Sequence, residues 1–162
     1  MESGDKMDEV KITVIEDQRM DLTPLTVRTL WSQTYNTEGK PDWSHIYPYY
    51  HDDIVFQDTI QKVEGLVAFK GVCERLTSRC QSLNMELSSV VQNDNVIIMD
   101  WKMTMSFRKS PDTPLYGCTK LTLNEAGQII SQRDYYDLWG DIFNGIPGFK
   151  TVYRRFLGRV FG

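Results

Sequence analysis

The most constraining feature of the sequence is a stretch near its middle in which apolar and polar residues alternate. A period of two is typical of a β-strand that buries one face, so the stretch predicts a long strand with its apolar side on the core. The alternation places Trp101 and Met103 on the buried side and Asp100 on the polar side. The apolar positions are Ile97, Met99, Trp101, Met103, Met105 and Phe107, and the positions between them are Ile98, Asp100, Lys102, Thr104, Ser106 and Arg108.

More strands are predicted around this one. Residues 82–87 alternate in the same way, and residues 115–123 predict a further strand. The segment KSPDTP, residues 109–114, predicts a loop before that strand. The segment NEAG, residues 124–127, predicts a tight turn into a last strand, because its glycine can adopt a positive φ.

Helices are predicted before this group of strands. Thr23 followed by Pro24 is typical of a helix start, and residues 25–35 follow without a breaker. Asp42 is expected to cap a second helix, and residues 66–76 to form a third, since apolar residues recur in both at helical spacing. The stripe of the second helix is Trp43, Ile46, Tyr47 and Tyr50, and that of the third is Phe69, Val72, Cys73 and Leu76.

The order of these elements favours the α+β class. The predicted helices come first, with a short hairpin over residues 54–65 between the second and the third, and the antiparallel strands follow. Because strands and helices do not alternate, we expect one curved sheet with helices on one face and not a doubly wound parallel sheet. A chain of 162 residues, 41% of them hydrophobic, fits a single domain. We place that domain at residues 21–146, after a flexible or edge arm at residues 1–20.

The distribution of charge argues against a nucleic-acid-binding protein. The formal net charge is −4, and the residues after position 144 include four basic and no acidic side chains. The rest of the chain therefore carries −8, that is −4 minus the +4 of the last segment. An acidic body is poorly suited to displace counterions from phosphates.

Metal, disulfide and cofactor sites are not predicted. The three cysteines lack CxxC spacing, and the two histidines, His45 and His51, have no cysteine near them. The phosphate-binding patterns GxGxxG, GxxxxGKS and GxxxxGKT do not occur. Since no apolar signal segment or membrane-spanning run is evident, we expect a cytoplasmic protein.

Residues 147–162 are predicted to form a C-terminal amphipathic basic helix. Docking of this helix on the body or on a second subunit is the first interpretation. Contact with an anionic membrane surface is the alternative, because aromatic residues opposite Arg and Lys suit such an interface. The apolar stripe is Phe149, Val152, Tyr153, Phe156, Leu157, Val160 and Phe161, and the basic residues are Lys150, Arg154, Arg155 and Arg159.

The candidate site is the last predicted strand, which has an unusually polar end. The segment GQIISQRDYYDLW, residues 127–139, carries the carboxylates Asp134 and Asp137 and two tyrosines. In an extended segment Asp134 and Tyr136 share one face. The strand is therefore either an exposed edge with solvated charges or one wall of a pocket into which Asp134 points.

Three strings and the order of the elements resemble the nuclear transport factor 2-like superfamily, especially its SnoaL-like and ketosteroid isomerase-like branches. The strings are YYHDDIVFQD followed by VEG, then YGCTKLTLNEAGQIISQRD, and DYYD, and they run from Tyr49 to Asp137. The resemblance implies a cone-shaped single domain in which N-terminal helices pack on the concave face of a curved mixed, mainly antiparallel sheet. It also implies a homodimer through the polar face of that sheet. The superfamily includes isomerases, cyclases, epoxide hydrolases and non-catalytic binders.

The resemblance carries over two candidate catalytic carboxylates. Asp58, in VFQD, resembles the general base of ketosteroid isomerases, which also have an acidic oxyanion donor where this chain has Thr119. Asp134, in RDYYD, resembles the water-activating aspartate of limonene-type epoxide hydrolases. Those enzymes add an Arg-x-Asp pair, and the corresponding residues here are Ile98 and Asp100. Because the acidic donor and the arginine are replaced, neither known site is carried over complete.

The predicted site is a pocket for a small apolar molecule of polyketide, terpene or steroid type. Asp134 and Asp58 are its candidate acid and base, and Asp100 and Arg133 are polar candidates of second rank. One hypothesis is a cofactor-independent isomerase, cyclase or epoxide hydrolase, and the other is a non-catalytic ligand carrier or dimeric interaction module. The predicted lining residues are Trp31, Tyr35, Phe56, Trp101, Met103, Thr119 and Tyr136.

Overall fold

The computed structural model describes residues 19–107, 110–142 and 148–161. Most of the predicted N-terminal arm, residues 1–18, lies outside the described residues, as do Arg108, Lys109 and Pro147. The strands are β1 (Tyr50–Gln57), β2 (Lys62–Glu64), β3 (Cys80–Asn93), β4 (Val96–Phe107), β5 (Ser110–Leu123) and β6 (Ile129–Tyr136). The helices are α1 (Pro24–Tyr35), α2 (Leu66–Arg79) and α3 (Phe149–Val160), with a 3-10 helix at Tyr47–Tyr49 and a π-helical turn at Leu138–Ile142.

The six strands form one open sheet in the order β2-β1-β6-β5-β4-β3. Strands β1 and β6 run parallel, and the other neighbouring pairs are antiparallel. Helix α1 packs on β3 and helix α2 on β1. The predicted α+β class, with N-terminal helices on a mixed, mainly antiparallel sheet, is confirmed.

Helix α1 begins at the predicted residue and protects the edge of the sheet. The backbone N–H of Thr26 donates to Thr23 Oγ1 over 3.3 Å, and the N–H of Thr23 donates to Thr26 Oγ1 over 2.7 Å, which closes a capping box. At the other end, Asn36 Nδ2 donates to the Met85 carbonyl over 2.8 Å and Asn36 Oδ1 accepts from the Met85 N–H over 3.1 Å. Since an edge strand otherwise leaves such groups unpaired, α1 covers β3 against pairing with another chain.

The alternation along β4 is confirmed. Met99 and Trp101 are buried, whereas Ile98 and Asp100 on the other face are exposed. Strand β3 buries residues on the same side of the sheet. Its Leu83, for example, is buried and pairs with Met105 of β4. The concave side of the sheet and helices α1 and α2 together enclose one apolar core.

The predicted second helix over residues 42–50 is wrong. This segment forms a turn and the 3-10 helix, and Tyr50 already belongs to β1. Pro48 explains the difference, because it lacks a donor for a helical hydrogen bond and disfavours the α conformation at Tyr47. Trp43 and Ile46 are nevertheless buried, so their spacing indicated core positions and not a regular helix.

The predicted loop at residues 109–114 is also wrong over its described part. Residues 110–114 belong to β5, and Pro114 pairs with Thr104 of β4. The prolines lie beside a shift in register between Met105 and Phe107, where the ladder of hydrogen bonds is already interrupted.

The parallel pairing of β1 with β6 positions the candidate site. Phe56 pairs with Gln132 in this register. Asp58 and Asp134 each follow two residues later, so they come to the same level along the two parallel segments. Because side chains two apart share a face, both carboxylates lie on the concave side of the sheet.

No helix among the described residues is long and apolar enough to cross a membrane.

Replacing Thr23 with alanine should lower the free energy of unfolding by about 1 kcal/mol, because it removes the capping box of α1. Urea denaturation followed by circular dichroism measures the change. Thr37→Ala is the control, since its hydroxyl makes only one long bond, 3.5 Å, to the Lys40 carbonyl. Equal losses in the two variants would contradict the assignment of the cap.

Candidate functional site

Asp134 lies on the inward face of β6, between Gln132 and Tyr136. Gln132 is buried, and Asp134 and Tyr136 are partly buried, whereas Arg133 and Tyr135 between them are exposed. The period of two along a strand explains this division. The structure therefore places Asp134 against the core and not at a solvated edge.

The Asp134 carboxylate accepts hydrogen bonds from two side chains. Thr119 Oγ1 donates to Oδ1 over 2.7 Å. Gln132 Nε2 donates to the same carboxylate, at 3.2 Å from Oδ1 and 3.3 Å from Oδ2. Thr119 is the direct cross-strand neighbour of Asp134, so the register of β5 and β6 brings the hydroxyl to the carboxylate.

Each of these donors is held in turn by another side chain. Trp101 Nε1 donates to Thr119 Oγ1 over 2.9 Å, so the threonine uses its own proton for Asp134. The Tyr50 hydroxyl donates to Gln132 Oε1 over 2.5 Å, which turns Gln132 Nε2 toward the carboxylate. We call these five side chains, Tyr50, Trp101, Thr119, Gln132 and Asp134, the Asp134 network. They come from β1, β4, β5 and β6. Each hydrogen bond in the network is donated either to Asp134 itself or to a side chain that donates to Asp134.

Burial raises the pKa of Asp134 from 3.8 to about 6. The hydrogen bonds from Thr119 and Gln132 act in the opposite direction and offset only part of this effect, and the Asp58 carboxylate adds a further increase. The dominant cause is thus desolvation of the charged form. A carboxyl group with such a pKa can both take up and release a proton near neutral pH.

Asp58 lies just after β1 and stabilises the turn into β2. Its Oδ1 accepts from the backbone N–H of Ile60 over 2.8 Å and of Gln61 over 2.7 Å. Its charge also reaches the site, where it raises the pKa of Asp134. The structure thus brings the two predicted acid–base residues together, but one oxygen of Asp58 is committed to the backbone.

Tyr136 lies close to both carboxylates. Burial raises the pKa of its phenol, the charges of Asp58 and Asp134 raise it further, and a side-chain hydrogen bond with Asp58 acts in the same direction. The phenol therefore keeps its proton at neutral pH and can act as a hydrogen-bond donor. Its ring lies 6.4 Å from that of Trp101, centroid to centroid.

The predicted pocket walls belong to the core around Asp134. Burial raises the pKa of the Tyr35 and Tyr50 phenols and raises that of the Cys73 thiol to about 12, with the Asp134 charge among the further causes in each case. Asp134 is thus the ionisable acid among groups that stay protonated. Of the predicted lining residues, Tyr136 is partly buried and the others are buried: Trp31, Tyr35, Phe56, Trp101, Met103 and Thr119.

Gly117 makes room for the indole of Trp101. The two residues pair across β4 and β5, and a Cβ at Gly117 would overlap the Trp101 ring. Without that Cβ the indole lies over β5 and its Nε1 reaches Thr119, two residues further along. Sequence reasoning did not identify Gly117, although a glycine opposite a buried tryptophan signals a close approach.

Asp100 and Arg133, the polar candidates of second rank, lie outside the site. Both are exposed on the convex face of the sheet, since the alternation of β4 and β6 turns them away from the core. The Arg133 guanidinium lies 4.9 Å from the centroid of the Tyr135 ring. On the same face Lys102 Nζ lies 3.0 Å from Glu86 Oε1, and the use of this face in a homodimer stays a prediction.

Sequence reasoning also missed Gln132 and the part played by Tyr50. Gln132 is a buried amide on the inward face of β6, and a polar residue at such a position usually needs a partner. That signal was available from the alternation alone. The partnership with Tyr50 depends on the parallel pairing of β1 and β6, which no local pattern indicates.

Two surface cavities flank the core. One, of about 240 Å³, lies on the convex face and is lined by residues such as Val55, Lys120 and Tyr135. The other, of about 440 Å³, lies between Lys40, Trp43 and Glu74, beside α2. The Asp134 network belongs to neither cavity lining, apart from Gln132 in the first. Among the described residues no group of histidine, cysteine and acidic side chains could hold a metal ion.

Residues 13–132 match the family model described as "Uncharacterized conserved protein (DUF2358)". The chain belongs to this family. No curated protein matches the sequence. The matched region includes α1, α2 and four of the five side chains of the Asp134 network, and it ends two residues before Asp134 itself.

Solved structures show that this DUF2358 chain has a nuclear transport factor 2-like fold. An epoxide hydrolase of M. tuberculosis described as LEH-like has 14% identity and a TM-score of 0.61, covering 82% of this chain and 94% of its own. A Catenulispora acidiphila protein with a ketosteroid isomerase-like fold, in complex with trimethylamine, has 13% identity and a TM-score of 0.64, covering 76% and 93%. A candidate SnoaL-like polyketide cyclase from Jannaschia sp. CCS1 has 19% identity and a TM-score of 0.61, covering 80% and 99%. The predicted superfamily is confirmed at the level of the fold.

Replacing Gly117 with alanine should destabilise the protein by about 1–3 kcal/mol, because the added methyl group overpacks against Trp101. The same change should displace the indole and remove its bond to Thr119, which the NMR signal of the indole N–H reports. Gly158→Ala, in α3, should be neutral or slightly stabilising, because an added Cβ would meet no other atom within 4 Å. A Gly117→Ala protein as stable as wild type, with an unshifted indole signal, would contradict this packing.

The raised pKa of Asp134 predicts how stability depends on pH. The folded protein favours the protonated carboxyl, so this group's contribution is largest below pH 3.8 and is lost as the pH rises toward 6. The total loss is about 3 kcal/mol, from the difference between those two pKa values. Relative to Asp134→Asn, which cannot ionise, wild type should therefore lose unfolding free energy between pH 4 and pH 7.

Urea denaturation of both proteins at several pH values tests this prediction. Asp100→Asn, at an exposed carboxylate on the opposite face, is the matched control. A difference between wild type and Asp134→Asn that stays constant across this range would show that Asp134 is not desolvated.

Proposed function

We propose that this protein binds a small, largely apolar molecule against the concave face of its sheet and transfers protons to and from it through Asp134, without a cofactor. The observation that carries the proposal is a single carboxyl group whose pKa is about 6, held by a directed hydrogen-bond network among apolar side chains. Apolar walls with few convergent polar groups are typical of small-molecule sites. Groups with strongly shifted pKa values concentrate at functional sites.

The supporting chemistry is general acid–base catalysis. The ionised carboxylate accepts a proton from a carbon next to a carbonyl group, and the same carboxyl group returns it to another carbon of that molecule, so the reaction is an isomerisation with no net change in protons. The Thr119 and Gln132 bonds orient the carboxylate throughout. Oδ2 accepts only the longer Gln132 bond, of 3.3 Å, and is the oxygen best able to meet a substrate.

Tyr136 is the candidate for stabilising the negative charge that forms on the substrate oxygen, once its single phenolic proton turns from Asp58 to that oxygen. Its phenol stays protonated because burial and two nearby carboxylates raise its pKa. A protonated donor in a dry site favours a developing oxyanion. Asp58 acts through Tyr136 and Asp134, as a positioning and electrostatic residue, since its own Oδ1 holds the turn after β1.

The structural neighbours support the class of reaction in general terms. Their descriptions include a LEH-like epoxide hydrolase and a candidate SnoaL-like polyketide cyclase. Opening an epoxide with water and closing a carbon ring next to a carbonyl group both require proton transfer, which a carboxyl group can provide. We therefore place the substrate among polyketide-, terpene- or steroid-like molecules.

A non-catalytic ligand carrier is the second candidate. It is favoured by the protonated phenol of Tyr35, which offers a hydrogen-bond donor near Asp134 without acid–base chemistry near neutral pH. In a carrier, Asp134→Asn would keep the ligand affinity of wild type, and no proton exchange would be detected.

Exchange of carbon-bound protons with solvent tests the proposal without knowledge of the natural substrate. The purified protein is incubated in D2O with a panel of apolar cyclic ketones and enones, and deuterium uptake is followed by mass spectrometry. We expect the rate of exchange to rise with pH through about 6, as Asp134 ionises, and to fall at least 100-fold in Asp134→Asn. Asp58→Asn should shift this profile to lower pH, because it removes a charge that raises the pKa of Asp134.

Tyr136→Phe should slow exchange at every pH, because it removes the donor to the substrate oxygen. Any downward shift in the midpoint of its pH profile should be no larger than the shift in Asp58→Asn. Asp100→Asn is again the control and should leave the rates unchanged. Saturable binding of a panel compound with no exchange in wild type would favour the carrier. Exchange that survives in Asp134→Asn would overturn the assignment of Asp134.

A further inference from the structure

Helix α3 carries an apolar stripe that the rest of the described structure leaves exposed. Val152, Phe156 and Val160 are 68%, 60% and 54% exposed, and Phe161 just after the helix is 81% exposed. The first three lie four residues apart, so they form one line along the helix, roughly 12 Å long at 1.5 Å per residue. Large apolar side chains in a continuous exposed line indicate a contact surface.

The opposite edge of the apolar face contacts Trp139 of the π-helical turn. The Trp139 ring stacks on Phe149 at 5.6 Å and on Tyr153 at 6.0 Å, between ring centroids. Phe149, Tyr153 and Leu157 are partly buried. Because this side of the helix faces Trp139, the line of Val152, Phe156 and Val160 faces away from the described body.

The basic residues of α3 lie along both borders of its apolar face. At about 100° per residue, Arg155 and Arg159 fall next to the exposed line, and Lys150 and Arg154 fall beyond the stacked edge. Gly158 and Thr151 occupy the centre of the polar side. Long cationic side chains at such borders can extend to phosphate groups while the apolar residues between them enter a less polar layer.

The positive charge of α3 and its flanking residues is complementary to an anionic surface. The helix itself carries no acidic side chain that could neutralise this charge. Residues 142–162 contain four basic and no acidic side chains, while the rest of the chain carries −8. An anionic surface would therefore attract α3 and repel the body. This asymmetry would orient the molecule with the exposed stripe toward the surface.

We propose that α3 docks the protein onto anionic membrane surfaces, lying in the interface with Val152, Phe156 and Val160 inserted and its arginines on the lipid phosphates. A second copy of the chain is a poorer occupant of the same stripe. Two α3 helices in contact would bring eight basic side chains together without an acidic one from the segment. Two valines and one phenylalanine also offer less than the roughly 800 Å² per partner of a stable protein interface.

Vesicle co-sedimentation of the full chain tests this proposal. One set of vesicles is phosphatidylcholine alone, and the other contains one-third phosphatidylglycerol. We expect the protein to sediment with the anionic vesicles at least tenfold more strongly than with the neutral ones, and to be released by high salt, since screening weakens the attraction. Equal binding to both sets, or to neither, would overturn the proposal.

Variants separate the two parts of the surface. The double variant Val152→Asp, Phe156→Asp should abolish binding, and Arg155→Gln with Arg159→Gln should weaken it more than tenfold. Val67→Asp, at an 87% exposed position of α2, is the matched control and should bind as wild type does. Because all these side chains are exposed, thermal unfolding of the body should be unchanged, and an altered melting curve would show that α3 packs on the body instead.

Analytical ultracentrifugation in the absence of vesicles completes the test, since a dimer lost in the double variant would identify a second copy as the occupant and contradict the membrane assignment.

Discussion

The site depends on how one carboxylate is accommodated on the apolar side of a sheet. A charged group removed from water is destabilised unless hydrogen bonds compensate it, and bonds to a charged group contribute about 1.5–3 kcal/mol each. Asp134 receives such bonds from Thr119 and Gln132, which Trp101 and Tyr50 hold in place. The compensation is incomplete, and the remaining cost of desolvation appears as a pKa of about 6. Structure and proposed chemistry therefore have the same physical origin.

Pairing between distant strands assembles this arrangement. Thr119 meets Asp134 through the register of β5 and β6, and the glycine opposite Trp101 lets an indole cross β5 to reach the same hydroxyl. The parallel contact of β1 with β6 adds the Tyr50 bond to Gln132 and brings Asp58 level with Asp134. Each contact is made by a residue that a strand presents inward, so the alternation of the strands decides which polar groups can join the network.

Because pairing between distant strands assembles the site, only the features that arise from local sequence patterns could be predicted. The period of two along β4, the start of α1 and the stripe of α2 were predictable, because each follows from local spacing and capping. The helix expected at residues 42–50 was not formed, since core aromatics happened to recur at helical spacing around Pro48. Asp134 stood out in the sequence because it lies at the unusually polar end of the last strand, whereas Gln132 and Gly117 acquire their roles only from neighbours that are distant along the chain.

The proposed acid–base role of Asp134 requires that burial raise the pKa of its carboxyl group in the folded protein. The most direct test is a pH titration of its carboxyl carbon by NMR in the folded protein, with Asp134→Asn used to assign the signal. We expect the carboxyl group to titrate with a midpoint near pH 6, and this midpoint should move to lower pH in Asp58→Asn. A midpoint at or below the ordinary value of 3.8 would contradict it, because the carboxylate would then be a well-solvated or fully compensated structural acceptor.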